Sequence, residues 1–179
     1  SGYEFGTLAA FTGKSAFSQS SAENIDPEKA GFGVFRIKKD LFKSSSFGLL
    51  GATKEDGPQY NRILGIDGSF VMSQQYLLDV QTAISATEDI RKDNKAFYGL
   101  LIRTGETFGF SANVNYLQPF FEINRVGYLK KESNRGIKEL LTNWRVSPRL
   151  NKNNIQFLAL NVRLGRNTDI FSDNYLNTW

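Results

Sequence analysis

The chain has 179 residues, a formal net charge of +4, and neither cysteine nor histidine, which is enough for one domain with a sizeable core. The missing residue types exclude disulfides, thiolate metal sites and cysteine nucleophiles, and they remove the commonest general base and transition-metal ligand. The Lys and Arg are scattered rather than clustered, so no nucleic-acid partner is expected. No run of about 18 apolar residues occurs, so no transmembrane helix is predicted. A strand-built membrane protein stays open, because its polar and apolar residues alternate and average out to soluble-looking hydropathy.

The opening "SGYEFGTLAAF" has no basic region followed by an apolar stretch, so no signal peptide is predicted. It reads as a mature start or as part of something longer. Residues 3–13 form a first predicted strand, and the polar run "KSAFSQSSAENIDPEKA" a long loop. Strands are then expected over 31–39, 46–54 and 60–72, with Asp-Gly and Gly-Pro turn signals in "EDGPQ" between the last two. Further strands are expected over 76–86, 96–104, 107–117, 137–146 and 154–165. The final "RNTDIFSDNYLNTW" reads as a loop and the start of a tenth strand. Helical spacing competes in "SQQYLLDVQTAISATEDIRK" and "GIKELLTNWRV", but the neighbours and lengths favour strands.

Alternation with a period of two separates two faces. Over 76–86, Leu78, Val80, Thr82, Ile84 and Ala86 oppose Leu77, Asp79, Gln81, Ala83 and Ser85. Over 107–117, Phe108, Phe110, Ala112, Val114 and Tyr116 oppose Gly109, Ser111, Asn113, Asn115 and Leu117. Over 60–71, Leu64, Ile66 and Phe70 oppose Asn61, Gly65, Asp67 and Ser69. The same parity reasoning adds Arg36, Arg103 and Arg163 to the polar side. Connections alternate between long, as at 14–29, 87–95 and 118–136, and short, as at 40–45, 73–75 and 105–106, the asymmetry of outer-membrane barrels. Tyr60, Phe70, Tyr98, Tyr116 and Trp144 are expected at strand ends on the apolar faces, as interfacial girdles are.

Little in the chain points to catalysis. Asp67 and Asp79 on neighbouring strands invite comparison with a glycosidase acid/base pair, but lumen acids paired with Arg are the plainer reading. "GFG" at 31–33 lacks the helix and Lys of a phosphate loop. The oxygens of "EDGPQYN" and "TEDIRKDNK" admit a weak calcium site without any EF-hand pattern. "LKKESNR" reads as a solvated loop, with an anionic-lipid contact as the minority reading. Glycines on strands are expected to relieve crowding in a lumen or ease bending.

The segment "RIKKDLFKSSSFGLLGATKEDGPQYNRILGIDGSF" resembles the barrel domain of an uncharacterised bacterial outer-membrane family. In that family the barrel follows a module similar to family 9 carbohydrate-binding modules. The resemblance is carried by Arg36 and Asp40 around a short turn, by "SSSFGLLGATKED", and by Asn61, Gly65 and Asp67 at fixed spacing. "GTLAAFTGK" and "FFEINRVGYLKK" extend it over roughly residues 5–131. Two departures stand in the latter: Asn124 where Pro is usual, and Tyr128 for Phe. The resemblance implies a barrel larger than nine or ten strands, with carbohydrate binding, uptake or glycoside hydrolysis tied to a module outside this chain.

The expectation is therefore an all-β, antiparallel, up-and-down transmembrane β-barrel of about nine or ten strands, residues 1–179 forming one barrel domain or a segment of a larger barrel. It would act in the bacterial outer membrane as a pore, transporter or scaffold. The lumen would be lined by Arg36, Asp67, Asp79, Gln81, Arg103, Asn113, Asn115 and Arg163. No enzyme activity, cofactor or metal is expected. Partners would be the lipid bilayer, a plug, lipoprotein or secretion-system protein, and glycans at the long loops. The alternatives are a soluble β-barrel or sandwich binding an apolar ligand and a carboxylate-based glycoside hydrolase.

Overall fold

A computed structural model of the chain describes residues 2–13, 29–42, 44–90, 92–123, 136–152, 155–170 and 175–178. The polar run at 14–28 and the charge cluster "LKKESNR" lie outside the described residues.

The strands are β1 (Tyr3–Phe11), β2 (Ala30–Leu41), β3 (Ser45–Asp56), β4 (Gln59–Ser73), β5 (Tyr76–Thr87) and β6 (Lys95–Arg103). Then follow β7 (Phe108–Leu117), β8 (Ile137–Val146), β9 (Arg149–Lys152), β10 (Ile155–Phe157), β11 (Leu160–Asp169) and β12 (Tyr175–Thr178). No helix occurs among the described residues. One ten-stranded sheet runs in the order β1-β2-β3-β4-β5-β6-β7-β8-β11-β12, while β9 and β10 pair with each other. Every neighbouring pair is antiparallel. This is an open meander: β1 and β12 have no partner strand on their outer edges among the described residues.

Turn chemistry sets the register. Gly57, with φ of 57°, starts the two-residue loop between β3 and β4, a place where residues with a Cβ are strained. Pro58 follows with its fixed φ. The expectation over 137–146 is met residue for residue by β8, where flanking ladders to β7 and β11 override the helical spacing of Ile137, Leu140, Leu141 and Trp144. The strand expected over 154–165 is displaced. Its first part and the preceding "SPRLNKN" pair as β9 and β10, and the sheet strand is Leu160–Asp169. This excursion also qualifies the expected rim asymmetry. Connections 12–29, 57–58, 88–94, 118–136 and 170–174 leave one rim; 42–44, 74–75, 104–107 and 147–159 leave the other. The second rim is short-looped except where the β9–β10 hairpin sits.

Burial is inverted relative to a water-soluble domain. Among the described residues the buried apolar side chains are Ala30, Ile63 and Phe121, whereas Ser45, Asn61, Ser85, Thr87, Asn94, Ser147 and Thr168 are buried polar ones. Leu64, Ile66, Ile84, Phe97, Val114 and Leu140 are exposed. A soluble sandwich would pack such residues between two layers, and here no described layer covers them.

Candidate functional site

Cross-strand register assigns every sheet residue to one of two faces, because opposed residues point the same way. Gly48 opposes Asp67, Asp67 opposes Gln81, Gln81 opposes Tyr98, Tyr98 opposes Asn115 and Asn115 opposes Glu139. This row crosses the middle of the polar face. Arg36 lies on the same face and reaches over β3, its Nη2 donating to Asp67 Oδ2 at 2.8 Å. Gly48 makes that reach possible. A Cβ there would stand 2.7 Å from Asp67 Oδ1, closer than packed atoms tolerate.

Asp79 opposes Ser69, so the two aspartates are offset neighbours that share a recess with Gln81, Tyr98 and Ser69. Asn115 donates to Asn113 Oδ1 at 3.1 Å and to Glu139 Oε2 at 2.8 Å. Asn143 donates to Ser111 Oγ at 3.1 Å and opposes Arg163. Lys38 bridges Glu4 and Asp40 at 3.5 and 3.6 Å, and Lys54 meets Asp56 at 2.9 Å. Arg36, Asp67, Asp79, Gln81, Asn113, Asn115 and Arg163 therefore share the face expected for them.

Arg103 does not. It opposes Tyr76 and Phe110, which places it at the end of the apolar face. There its guanidinium lies 5.7 Å from the Tyr76 ring and 5.1 Å from the Phe108 ring, and donates to Tyr76 Oη at 3.0 Å and to the Phe108 carbonyl. Tyr98 is the reverse case, expected on the apolar side and found on the polar one. β6, "KAFYGLLIR", is apolar on both sides, so its composition leaves parity undetermined and the neighbouring strands decide it.

The apolar face is bounded by tyrosines, each covered by a cation. Lys39 sits over Tyr3 at 5.1 Å and Arg103 over Tyr76 at one rim. Arg62 sits over Tyr60 at 4.6 Å and Lys138 over Tyr116 at 5.6 Å at the other. Between the rims, Phe35 lies across Gly51 and Phe70 across Gly68. These glycines thus admit aromatic rings on the apolar face, and Gly48 is the one that relieves crowding among the polar side chains.

The start of the β7–β8 connection folds back over the polar face. Phe120 N donates to the Asp93 carbonyl at 2.9 Å, Glu122 N to Ser85 Oγ at 2.9 Å, and Asn61 Nδ2 to the Glu122 carbonyl at 3.1 Å. Phe121 is buried against this patch. Glu139, Asn143 and Arg145 are site residues absent from the sequence reading, which places Asn61 on the polar face without counting it among the lumen residues. The alternation of Glu139, Asn143 and Arg145 with Lys138, Leu140 and Trp144 was the available signal, masked by the competing helical spacing.

Chemically the polar face offers paired charges, amides and, among the described residues, the phenol of Tyr98, suited to hydrogen-bonding a polar solute. Glu55 is held by Arg62 at 2.8 Å and Asp56 by Lys54, so the two acids of the "EDGPQYN" turn are engaged. No group of three His, Cys, Asp or Glu among the described residues could hold a metal ion. No protein-family model matches the chain, and no curated protein or solved structure matches it either.

Proposed function

We propose that this chain forms the wall, or a large part of the wall, of a bacterial outer-membrane β-barrel, acting as a pore or scaffold with a polar lumen. The observation that carries the reading is the inversion of the sheet. Its apolar face carries exposed side chains on every strand from β1 to β8 and on β11, and the largest fully buried side chains among the described residues are Asn61 and Ser85. Lipid on the apolar face resolves this, since hydrocarbon replaces the missing second layer.

Two further features support it. From Lys95 to Arg103 on β6, and from Phe108 to Tyr116 on β7, the apolar band spans eight residue steps. That is about 27 Å along a strand, or about 20 Å of bilayer depth at a tilt of about 40°. The cation-covered tyrosines at both rims match the amphipathic belt at a membrane–water interface. The free edges of β1 and β12 would be closed by pairing with each other or with further strands, as hydrocarbon requires. Asp67 serves here as the partner of Arg36 in the lumen wall rather than as half of a catalytic pair. The family resemblance, with its separate sugar module, belongs to this proposal, and the flanking sequence tests it.

The direct experiment is to fold the protein into phosphatidylcholine vesicles. The expected result is co-flotation with the vesicles, protection of the strands from protease, and ohmic conductance in planar bilayers. A stable monomer that stays in aqueous buffer without detergent would overturn the reading in favour of a soluble sheet protein.

A further inference from the structure

The polar face is not uniform in how its cations are used. Arg36, Lys38 and Lys54 each have a carboxylate within ion-pair distance. Arg145 and Arg163, on β8 and β11, have neither an ion pair nor a hydrogen bond to any described residue, and both are exposed. They occupy offset positions on adjacent strands: Arg145 opposes Asn161 and Arg163 opposes Asn143. The nearest turn offers no help, because its acid, Glu106, is taken by Arg149 at 3.1 Å. A concavity opens over this pair, bordered by Ser111, Asn143, Asn161 and Gly109, and no Asp or Glu lines it.

Two like charges placed side by side without a counter-ion repel each other. The amide and hydroxyl groups around them add neutral hydrogen-bonding atoms and no compensating charge. The geometry points to a binding site for an anionic group, a phosphate or carboxylate, held between Arg145 and Arg163. Guanidinium forks suit both ligands, since each accepts paired N–H···O bonds. Gly109, with no side chain, keeps the floor open. The site rests on the membrane reading only in one respect: within a barrel it would line the lumen near the rim that carries the β9–β10 hairpin, and would favour anionic solutes there.

The test uses the full chain in neutral detergent at low ionic strength, titrated calorimetrically with inorganic pyrophosphate and, separately, with citrate. Saturable binding of one or both is expected, pyrophosphate alone marking a phosphate site and citrate alone a carboxylate site. Arg145→Gln and Arg163→Gln should each weaken it about tenfold, as loss of a charge-assisted contact does, while Lys54→Gln, at the opposite rim, leaves it unchanged. Arg145→Lys and Arg163→Lys keep the charge and should restore part of the affinity, which separates lost binding from lost folding. Absence of saturable heat with both anions, or equal weakening by Lys54→Gln, would overturn the site. Neither outcome bears on vesicle insertion, so failure here and failure of the membrane reading are distinguishable.

Discussion

One sheet presents two surfaces that obey opposite rules. On the apolar face, Leu64, Ile66 and Ile84 are exposed, charges gather toward the strand ends, with Arg166 of β11 further in, opposite Leu140, and aromatic rings lie over glycines. On the polar face, charges sit mid-strand, most of them in pairs, and a returning segment buries Asn61 and Ser85. The difference teaches that the pleat, not the core, organises this chain. A soluble domain hides its apolar side and wets its polar side; here the apolar side has no described cover, and the polar side is sheltered where the returning segment crosses Asn61 and Ser85. Substitutions that treat the faces alike would blur the contrast, and substitutions that respect it should sharpen it.

The largest effect is expected in the middle of the apolar face. Ile66→Arg should destabilise the membrane-folded protein by about 2–4 kcal/mol, the cost of a cation near the bilayer midplane. Gln81→Arg, one strand away on the polar face, should change stability by no more than about 0.5 kcal/mol. Urea unfolding in lipid vesicles, followed by tryptophan fluorescence, measures both.

Asn61→Ala comes next. It removes the donor that holds the Glu122 carbonyl and should cost about 1–3 kcal/mol, the usual penalty for a buried polar group left without its partner. The same variant should increase protease cleavage in the β7–β8 connection. Gly48→Val tests the room made for Asp67. Its new Cβ meets the carboxylate that Arg36 holds, so overpacking of about 1–3 kcal/mol is expected. Gly6→Val, on the same face with open space for 4 Å around the position a Cβ would take, should be near neutral. The smallest effect belongs to the rim: Tyr60→Leu removes the ring under Arg62 and should cost about 0.5–1 kcal/mol.

Much of this was legible before the structure. Strict alternation over 76–86 and 107–117, and the turn residues between strands, located the sheet strands from β1 to β8 to within a few residues. The facing of Asp67, Asp79, Gln81, Asn113 and Asn115 followed from parity alone. Two kinds of information were missing. Where a strand is apolar on both sides, as at β6, composition carries no parity, so Arg103 and Tyr98 were assigned to each other's faces. Where the chain leaves the sheet and returns, as at β9 and β10, no periodic signal announces it. The pairing of Arg36 with Asp67, and the lack of a partner for Arg145 and Arg163 among the described residues, depend on which strands become neighbours, and that is a property of the ladder rather than of any one segment.

The absence of native cysteine allows the central claim to be tested with single introduced thiols. Ile84→Cys and Val114→Cys on one face, and Gln81→Cys and Asn113→Cys on the other, would each carry an environment-sensitive fluorophore in vesicles containing a lipid-tail quencher. Blue-shifted, quenched emission from the first two positions, and solvent-like, unquenched emission from the second two, is the predicted result. Equal responses from both faces, or quenching confined to Gln81 and Asn113, would contradict a sheet whose apolar side meets lipid.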